Sequence, residues 1–325
     1  MIATLETCLL NWASTARVYG IVLDAVPGRG FCGGGDIRAL VTGLDENMEA
    51  ARQFFRDEYQ HNWTLERFTK PHISLIDGIV MGGGVGISLY GTHRVAGENM
   101  VFAMPETGIG FFPDIGAGYF LSRFPGKTGL YLGLTGLSIG RADAYYLGVA
   151  THCINAPEFD KIRYAIIEGD PIDPVLDDLH RDPGESRLAE LRSAIDRIFS
   201  AGRVEDILKG LDAETGAHAE WARETAATIR QRAPLSLKVA FQLIQEGASK
   251  QTLKEELKTE FRLVWRFLEG PDLREGVRAA LIDKDKAPKW QPARLEDVTD
   301  EMVDACFAPL GDKELELDDR WALVA

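Results

Sequence analysis

Short apolar runs that end in glycine, set between stretches of helical periodicity, organise the first half of this chain. Ile2, Leu5, Leu9 and Trp12 fall at three-and-four spacing, which predicts a helix over 1–13 with no capping residue before it. Residues 19–25 (YGIVLDA) have strand length and lead into a glycine-rich turn over 28–36. A helical pattern covers 44–68. A second strand is predicted over 73–76, reaching a second glycine cluster over 81–86 and an apolar helix beyond it. A third strand spans 101–104 and stops at Pro105-Glu106. Strand, glycine turn and helix recur in that order, as expected of an α/β core whose strand ends carry the site.

The rhythm changes further on. Residues 168–184 are rich in proline and aspartate and read as a connecting loop. Beyond them, 185–199, 204–211, 217–232 and 236–269 are long amphipathic helical segments. The division expected is an α/β core over 1–184 and a helical region over 185–325.

Composition narrows the chemistry. The chain has 325 residues, 45% of them hydrophobic and 26% charged, as in an ordinary globular protein. Its 36 Lys+Arg against 50 Asp+Glu give a net charge of -14, which disfavours nucleic acid as a partner. No apolar run approaches the ~20 residues of a membrane span. Cys8, Cys32, Cys153 and Cys306 are far apart and the six histidines are scattered, so neither a disulfide scaffold nor a metal site is expected. With no secretory signal pattern in the first residues, a reducing compartment is expected, read as the cytosol.

Three carboxylates stand in unusual company. Taking ~100° per residue, Glu58 falls in the same helical arc as Leu44, Met48, Ala51, Phe54, Phe55 and Tyr59. An acid there is either paired with a cation or lines a cavity. Glu106 and Asp114 sit eight residues apart in FAMPETGIGFFPD, residues 102–114. Apolar surroundings would raise the pKa of Glu106 and suit it to acid–base work, whereas Asp114 is also placed to cap a following helix. The two glycine clusters leave backbone N–H groups free at strand ends. They are tight turns, phosphate cradles, or two amides aimed at one oxyanion. No Gly-Lys-Ser/Thr follows either, so a Walker A loop is absent.

Three segments, FCGGGDIR over 31–38, MGGGVGIS over 81–88 and FAMPETGIGFFPD over 102–114, together resemble the enoyl-CoA hydratase/isomerase (crotonase) superfamily. The resemblance continues through Leu134-Thr135-Gly136, GVATH over 148–152 and EGVRAALIDKDKAPKW over 275–290. Within the superfamily it is nearest the 3-hydroxyisobutyryl-CoA hydrolase branch. It implies a spiral of strand–strand–helix repeats followed by C-terminal helices. It also implies oxyanion amides at Gly35 and Gly83, catalytic carboxylates at Glu106 and Asp114, and a substrate-contacting acid at Glu58. The expected activity is hydrolysis of a short 3-hydroxyacyl-CoA thioester in valine breakdown, with CoA entering as part of the substrate and no separate cofactor. A homo-oligomer is left open. Two departures bear on this. The hydratases carry a second glutamate after the glycine cluster, where this chain has Gly86. The family's first strand pair, with its CoA-holding segment, does not precede Met1. The alternatives are an enoyl-CoA hydratase or isomerase and a non-catalytic acyl-CoA-binding protein.

Overall fold

The computed structural model describes residues 1–26, 28 and 30–319; Arg29 of the predicted glycine turn and the last six residues of the helical region lie outside them. The chain opens with α1 (Ile2–Ser14), β1 (Ile21–Leu23), β2 (Gly30–Cys32), α2 (Ile37–Thr42) and α3 (Met48–Glu66). There follow β3 (His72–Ile76), β4 (Ile79–Met81), α4 (Gly83–Gly86), β5 (His93–Ala96) and β6 (Val101–Ala103). The middle of the chain holds α5 (Ala117–Leu121), α6 (Thr128–Thr135), α7 (Arg141–Tyr146), β7 (His152–Cys153), α8 (Phe159–Glu168) and α9 (Ile172–Leu179). The remainder is helical: α10 (Arg187–Phe199), α11 (Val204–Asp212), α12 (Ala219–Arg230), α13 (Pro234–Gly247), α14 (Leu253–Glu269), α15 (Asp272–Val277) and α16 (Asp300–Phe307).

The strands form two parallel sheets, one in the order β1-β3-β5-β7 and one in the order β2-β4-β6. Successive strands alternate between them, so each repeat lays one strand on each sheet before a helix returns the chain. This is the crotonase-like spiral of strand–strand–helix repeats. Each strand is too short to stand alone and is held by neighbours on the same sheet: Ile73↔His93 through Ile76↔Ala96, and Ile79↔Val101 through Met81↔Ala103.

The predicted strands over 19–25, 73–76 and 101–104 are present, slightly shortened or extended. The strands β2, β4, β5 and β7 are additions. β2 and β4 are three residues each and touch the glycine clusters, so no period-two pattern can develop in them. The apolar helix expected beyond residue 86 is not formed: α4 lies within the glycine cluster itself, and residues 87–90 are turns.

Two corrections concern the later chain. The loop expected over 168–184 contains α9, because Ile172, Leu176 and Leu179 fall on one face and pack with Ile73, Leu75, Val95 and Ile162. Pro174 is tolerated there because first-turn amides have no partner inside a helix. The segment over 236–269 is two helices, broken after Gly247 and restarted where the Thr252 hydroxyl accepts from the Glu255 amide.

Helices on either side of residue 184 share one core. It runs from Val41 and Phe55 through Phe112 and Leu132 to Leu243, Phe261 and Leu317, with α13 on α5 and α6 and α14 on α3. Phe55, Phe111, Phe112 and Phe267 form its aromatic centre, with ring centroids 4.4 Å apart for Phe111–Phe112 and 5.2 Å for Phe112–Phe267.

Backbone packs closely on backbone where α4 meets β2. A Cβ at Gly84 would lie 2.1 Å from the Cys32 carbonyl oxygen, whereas one at Gly140 meets nothing within 4 Å. Backbone cannot step aside as a side chain can, so Gly84→Ala should lower stability by about 1–3 kcal/mol, the usual range for overpacking. Gly140→Ala should leave it unchanged. Thermal melts of the two variants check this, and equal melting would remove the close approach as a constraint.

Candidate active site

Two glycine turns meet at the ends of β2 and β4. After Cys32 the chain passes through Gly33, Gly34 (φ 94°) and Gly35 into α2, whose first turn is capped by Asp36. After Met81, Gly82 (φ 50°) turns the chain into α4. The turns press face to face: a Cβ at Gly34 would lie 3.1 Å from the Gly83 nitrogen, and one at Gly83 would lie 3.5 Å from the Gly35 nitrogen. Neither the Gly35 nor the Gly83 amide has an acceptor among the described residues. Two donors therefore stand side by side at one point, which is what an oxyanion requires.

Three carboxyl groups surround that point. Glu58 projects from the core side of α3, and its Oε1 would be 2.4 Å from a Cβ at Gly83. Glu106 begins a single 3-10 turn, Glu106–Ile109, after Pro105, and its Oε1 would be 3.3 Å from a Cβ at Gly82. That turn is tied down by the Phe111 amide donating to the Glu106 carbonyl and the Ala233 amide donating to the Thr107 carbonyl. Asp114 follows Phe111, Phe112 and Pro113, and accepts at Oδ2 from the Tyr59 hydroxyl at 3.2 Å. The N-cap of α5 is Gly116, with no side-chain cap, so Asp114 does not cap that helix through its carboxylate. Its main-chain carbonyl accepts from the Ala117 amide instead.

All five residues line one cavity of about 230 Å³. Its other walls are mainly apolar, from Ile37, Leu40, Phe54, Phe55, Phe111 and Leu281. Leu281 reaches it from a one-turn π-helix, Arg278–Ile282. Glu58, Glu106 and Asp114 are 4%, 7% and 6% exposed, and none forms an ion pair among the described residues. Glu106 Oε2 is buried with no hydrogen-bond partner.

The electrostatic consequence is uniform. Burial, then the Asp114 charge, raises the Glu106 carboxyl well above its ordinary range. The same two causes in the same order push Glu58 up to about 8. Burial pushes Asp114 up to about 7, against the opposing effect of the Tyr59 hydrogen bond. Desolvated acids with no cation are costly and concentrate where chemistry is done. Among the described residues, no three His, Cys, Asp or Glu side chains are arranged to hold a metal ion.

Some contributors were not visible in the sequence. Tyr59 was read only as part of an apolar arc, yet it holds Asp114. Glu260, fully buried on α14, accepts from the Gly116 amide at 2.7 Å and the Gly118 amide at 3.3 Å. Tyr90 donates to the Ile115 carbonyl at 2.6 Å. The signal available for Glu260 was the one that marked Glu58: an acid on a core-facing stripe, here beside Leu257, Phe261 and Val264.

The chain belongs to the enoyl-CoA hydratase/isomerase family, whose model matches residues 1–307. Among its relatives, the mitochondrial 3-hydroxyisobutyryl-CoA hydrolase of Danio rerio is 39% identical over 327 residues, covering 98% of this chain and 85% of the relative. The enzyme of the same name from Xenopus tropicalis is 40% identical over 316 residues, covering 94% and 81%. A crystal structure of a carnitinyl-CoA dehydratase from Mycobacterium thermoresistibile superposes with a TM-score of 0.92 at 39% identity, covering 98% and 91%. The expected cytosolic location does not stand, because these hydrolase relatives are mitochondrial. Spaced free cysteines describe a reducing compartment, and that description does not distinguish the cytosol from a mitochondrial interior.

The raised carboxyls fix a sign for stability. The folded chain holds these protons more tightly than the unfolded one, whose carboxyls titrate near about 4. Stability therefore falls as pH climbs from there through about 7 for Asp114 and about 8 for Glu58. A glutamine cannot ionise, so Glu106→Gln should melt above the wild type at pH 8, with the gap closing toward pH 5. Melting curves across that range check it; a gap independent of pH would count against a buried, raised Glu106.

Proposed function

We propose that this chain hydrolyses a short 3-hydroxyacyl-CoA thioester, with 3-hydroxyisobutyryl-CoA as the favoured substrate and 3-hydroxyisobutyrate and CoA as products. The observation that carries the reading is the convergence of two unpaired glycine amides and three uncompensated carboxyls on one apolar cavity. The hydrolase relatives, aligned over nearly the whole chain, supply the substrate class.

In this scheme the thioester oxygen sits between the Gly35 and Gly83 amides, which stabilise negative charge as the carbonyl carbon becomes tetrahedral. Each such donor typically contributes ~3–4 kcal/mol. Glu106, as carboxylate, takes a proton from water as the water oxygen bonds to the carbonyl carbon, or attacks that carbon itself. On the first route the C–S bond breaks, CoA leaves as thiolate, and the proton held by Glu106 neutralises it. On the second, CoA thiolate leaves an acyl-Glu106 anhydride; water then attacks that anhydride, releasing the acid, restoring the Glu106 carboxylate and giving its proton to the thiolate. Asp114 orients the water or the 3-hydroxyl, and Glu58 hydrogen-bonds the 3-hydroxyl. The scheme uses no cofactor beyond the CoA of the substrate.

The dehydratase name of the superposable structure favours a second reading, addition or removal of water across a double bond. That chemistry uses paired acid and base groups on the substrate, and Gly86 offers no side chain for one of them. Supplying crotonyl-CoA and 3-hydroxyisobutyryl-CoA separates the two. Thiol release from the second alone supports hydrolysis, and loss of the conjugated double bond without thiol release overturns it. Glu106→Gln should lower thiol release by about 10²–10⁴-fold, the usual effect of losing a general base, with folding intact by circular dichroism. Full activity in that variant would remove Glu106 from the scheme.

The pH profile gives a separate check. Glu106 works as the anion, so kcat/KM should rise with pH along a limb displaced upward from the ordinary carboxylate range. Burial is the larger cause of its raised pKa and the Asp114 charge the next. Asp114→Asn should therefore move this limb to lower pH while lowering the plateau. A limb left in place would separate Asp114 from the titration of Glu106.

A further inference from the structure

We propose that Glu260 is a positioning residue for this reaction, its two carboxyl oxygens fixing the turn that aims Asp114 into the cavity. The inference rests on the role given above to Asp114. Glu260 itself does not line the cavity.

The turn that follows Asp114 is improbable by itself. Ile115 has φ 58° and Gly116 φ 86°. Two successive left-handed residues are rare, and a β-branched residue in that region is disfavoured. Ile115 is also fully buried, so no solvent contact offsets the strain. The turn aims the Gly116 and Gly118 amides at one place, while the Ala117 amide between them donates to the Asp114 carbonyl. Converging amides of this kind call for an acceptor.

Here the acceptor comes from far along the chain. The two Glu260 oxygens accept from Gly116 and Gly118, 144 and 142 residues away in sequence. The Tyr90 hydroxyl holds the preceding Ile115 carbonyl. The turn is pressed against these groups: a Cβ at Gly116 would lie 2.1 Å from the Tyr90 hydroxyl, and one at Gly118 would lie 1.8 Å from Glu256 Oε1. Asp114 is tied to the same turn through its carbonyl, which accepts from Ala117. Loosening Gly116 therefore moves Asp114. The Tyr59 hydrogen bond fixes only the tip of its side chain.

Glu260→Gln offers an amide NH₂ where one of two donors must be accepted, so one bond is lost and the turn relaxes. Tyr90→Phe removes the second clamp with little change in volume and provides a variant that keeps the fold. Each is made in the full chain, alone and with Asp114→Asn, and thiol release from 3-hydroxyisobutyryl-CoA gives kcat and KM.

Glu260→Gln should lower kcat by about tenfold or more, the scale of a misplaced catalytic group, with KM within about twofold. Tyr90→Phe should do the same to a smaller extent. Both losses should vanish in the Asp114→Asn background, because a group acting through Asp114 has nothing left to position. An equal fold-loss with and without Asp114→Asn, or a change confined to melting temperature, overturns the proposal. If Glu260→Gln does not fold, Tyr90→Phe decides by the same criterion. A wild-type rate for Asp114→Asn alone removes the role of Asp114 and this inference with it, which separates that failure from an independent action of Glu260.

Discussion

Three carboxyl groups held in an apolar cavity without a cation are the constraint around which the rest of this molecule is arranged. An ionised acid out of water is unstable unless it is hydrogen-bonded or paired. Among the described residues, only Asp114 of the three has a side-chain donor on its carboxylate, from Tyr59. The deficit is tolerable because the surrounding core is large and continuous. The same deficit raises all three above the ordinary carboxylate range, Asp114 to about 7 and Glu58 to about 8, which suits them to acid–base chemistry.

The cavity exists because two neighbouring strands of one sheet deliver two glycine turns to one place. Parallel pairing of β2 with β4 sets Gly30 against Ile79 and Cys32 against Val80, so both chains leave the sheet at the same level. Glycine then allows the backbones to come closer than any side chain would permit. At Gly84 the neighbour is a carbonyl oxygen, and at Gly83 it is the Glu58 carboxylate. Donor placement and acid placement are thus two results of one packing event.

Local signals carried much of this. Helical periodicity located α1, α3, α10 and α12 to within a few residues, and the carboxylates Glu58, Glu106 and Asp114 stood out because acids seldom sit in apolar company. The structure brings these three, with Gly35 and Gly83, to a single cavity. What could not be read was set by distant partners. β2 and β4 are strands only because each pairs with another three-residue segment. The helix α9 hid behind prolines that its first turn absorbs. Tyr59 and Glu260 act on groups 55 and 144 residues away; the apolar stripe around Glu260 marks it as buried but does not name its partners.

That last separation has a consequence for how the protein comes into being. Chains fold from the N-terminal end as they are synthesised, so the loop bearing Asp114 leaves the ribosome long before α14 exists. Until residue 260 has been added, the turn at Ile115 and Gly116 lacks its acceptor and samples other backbone states. The nascent chain can build both sheets and still be unable to work. Competence arrives late, when a helix made near the end closes over a loop made near the beginning.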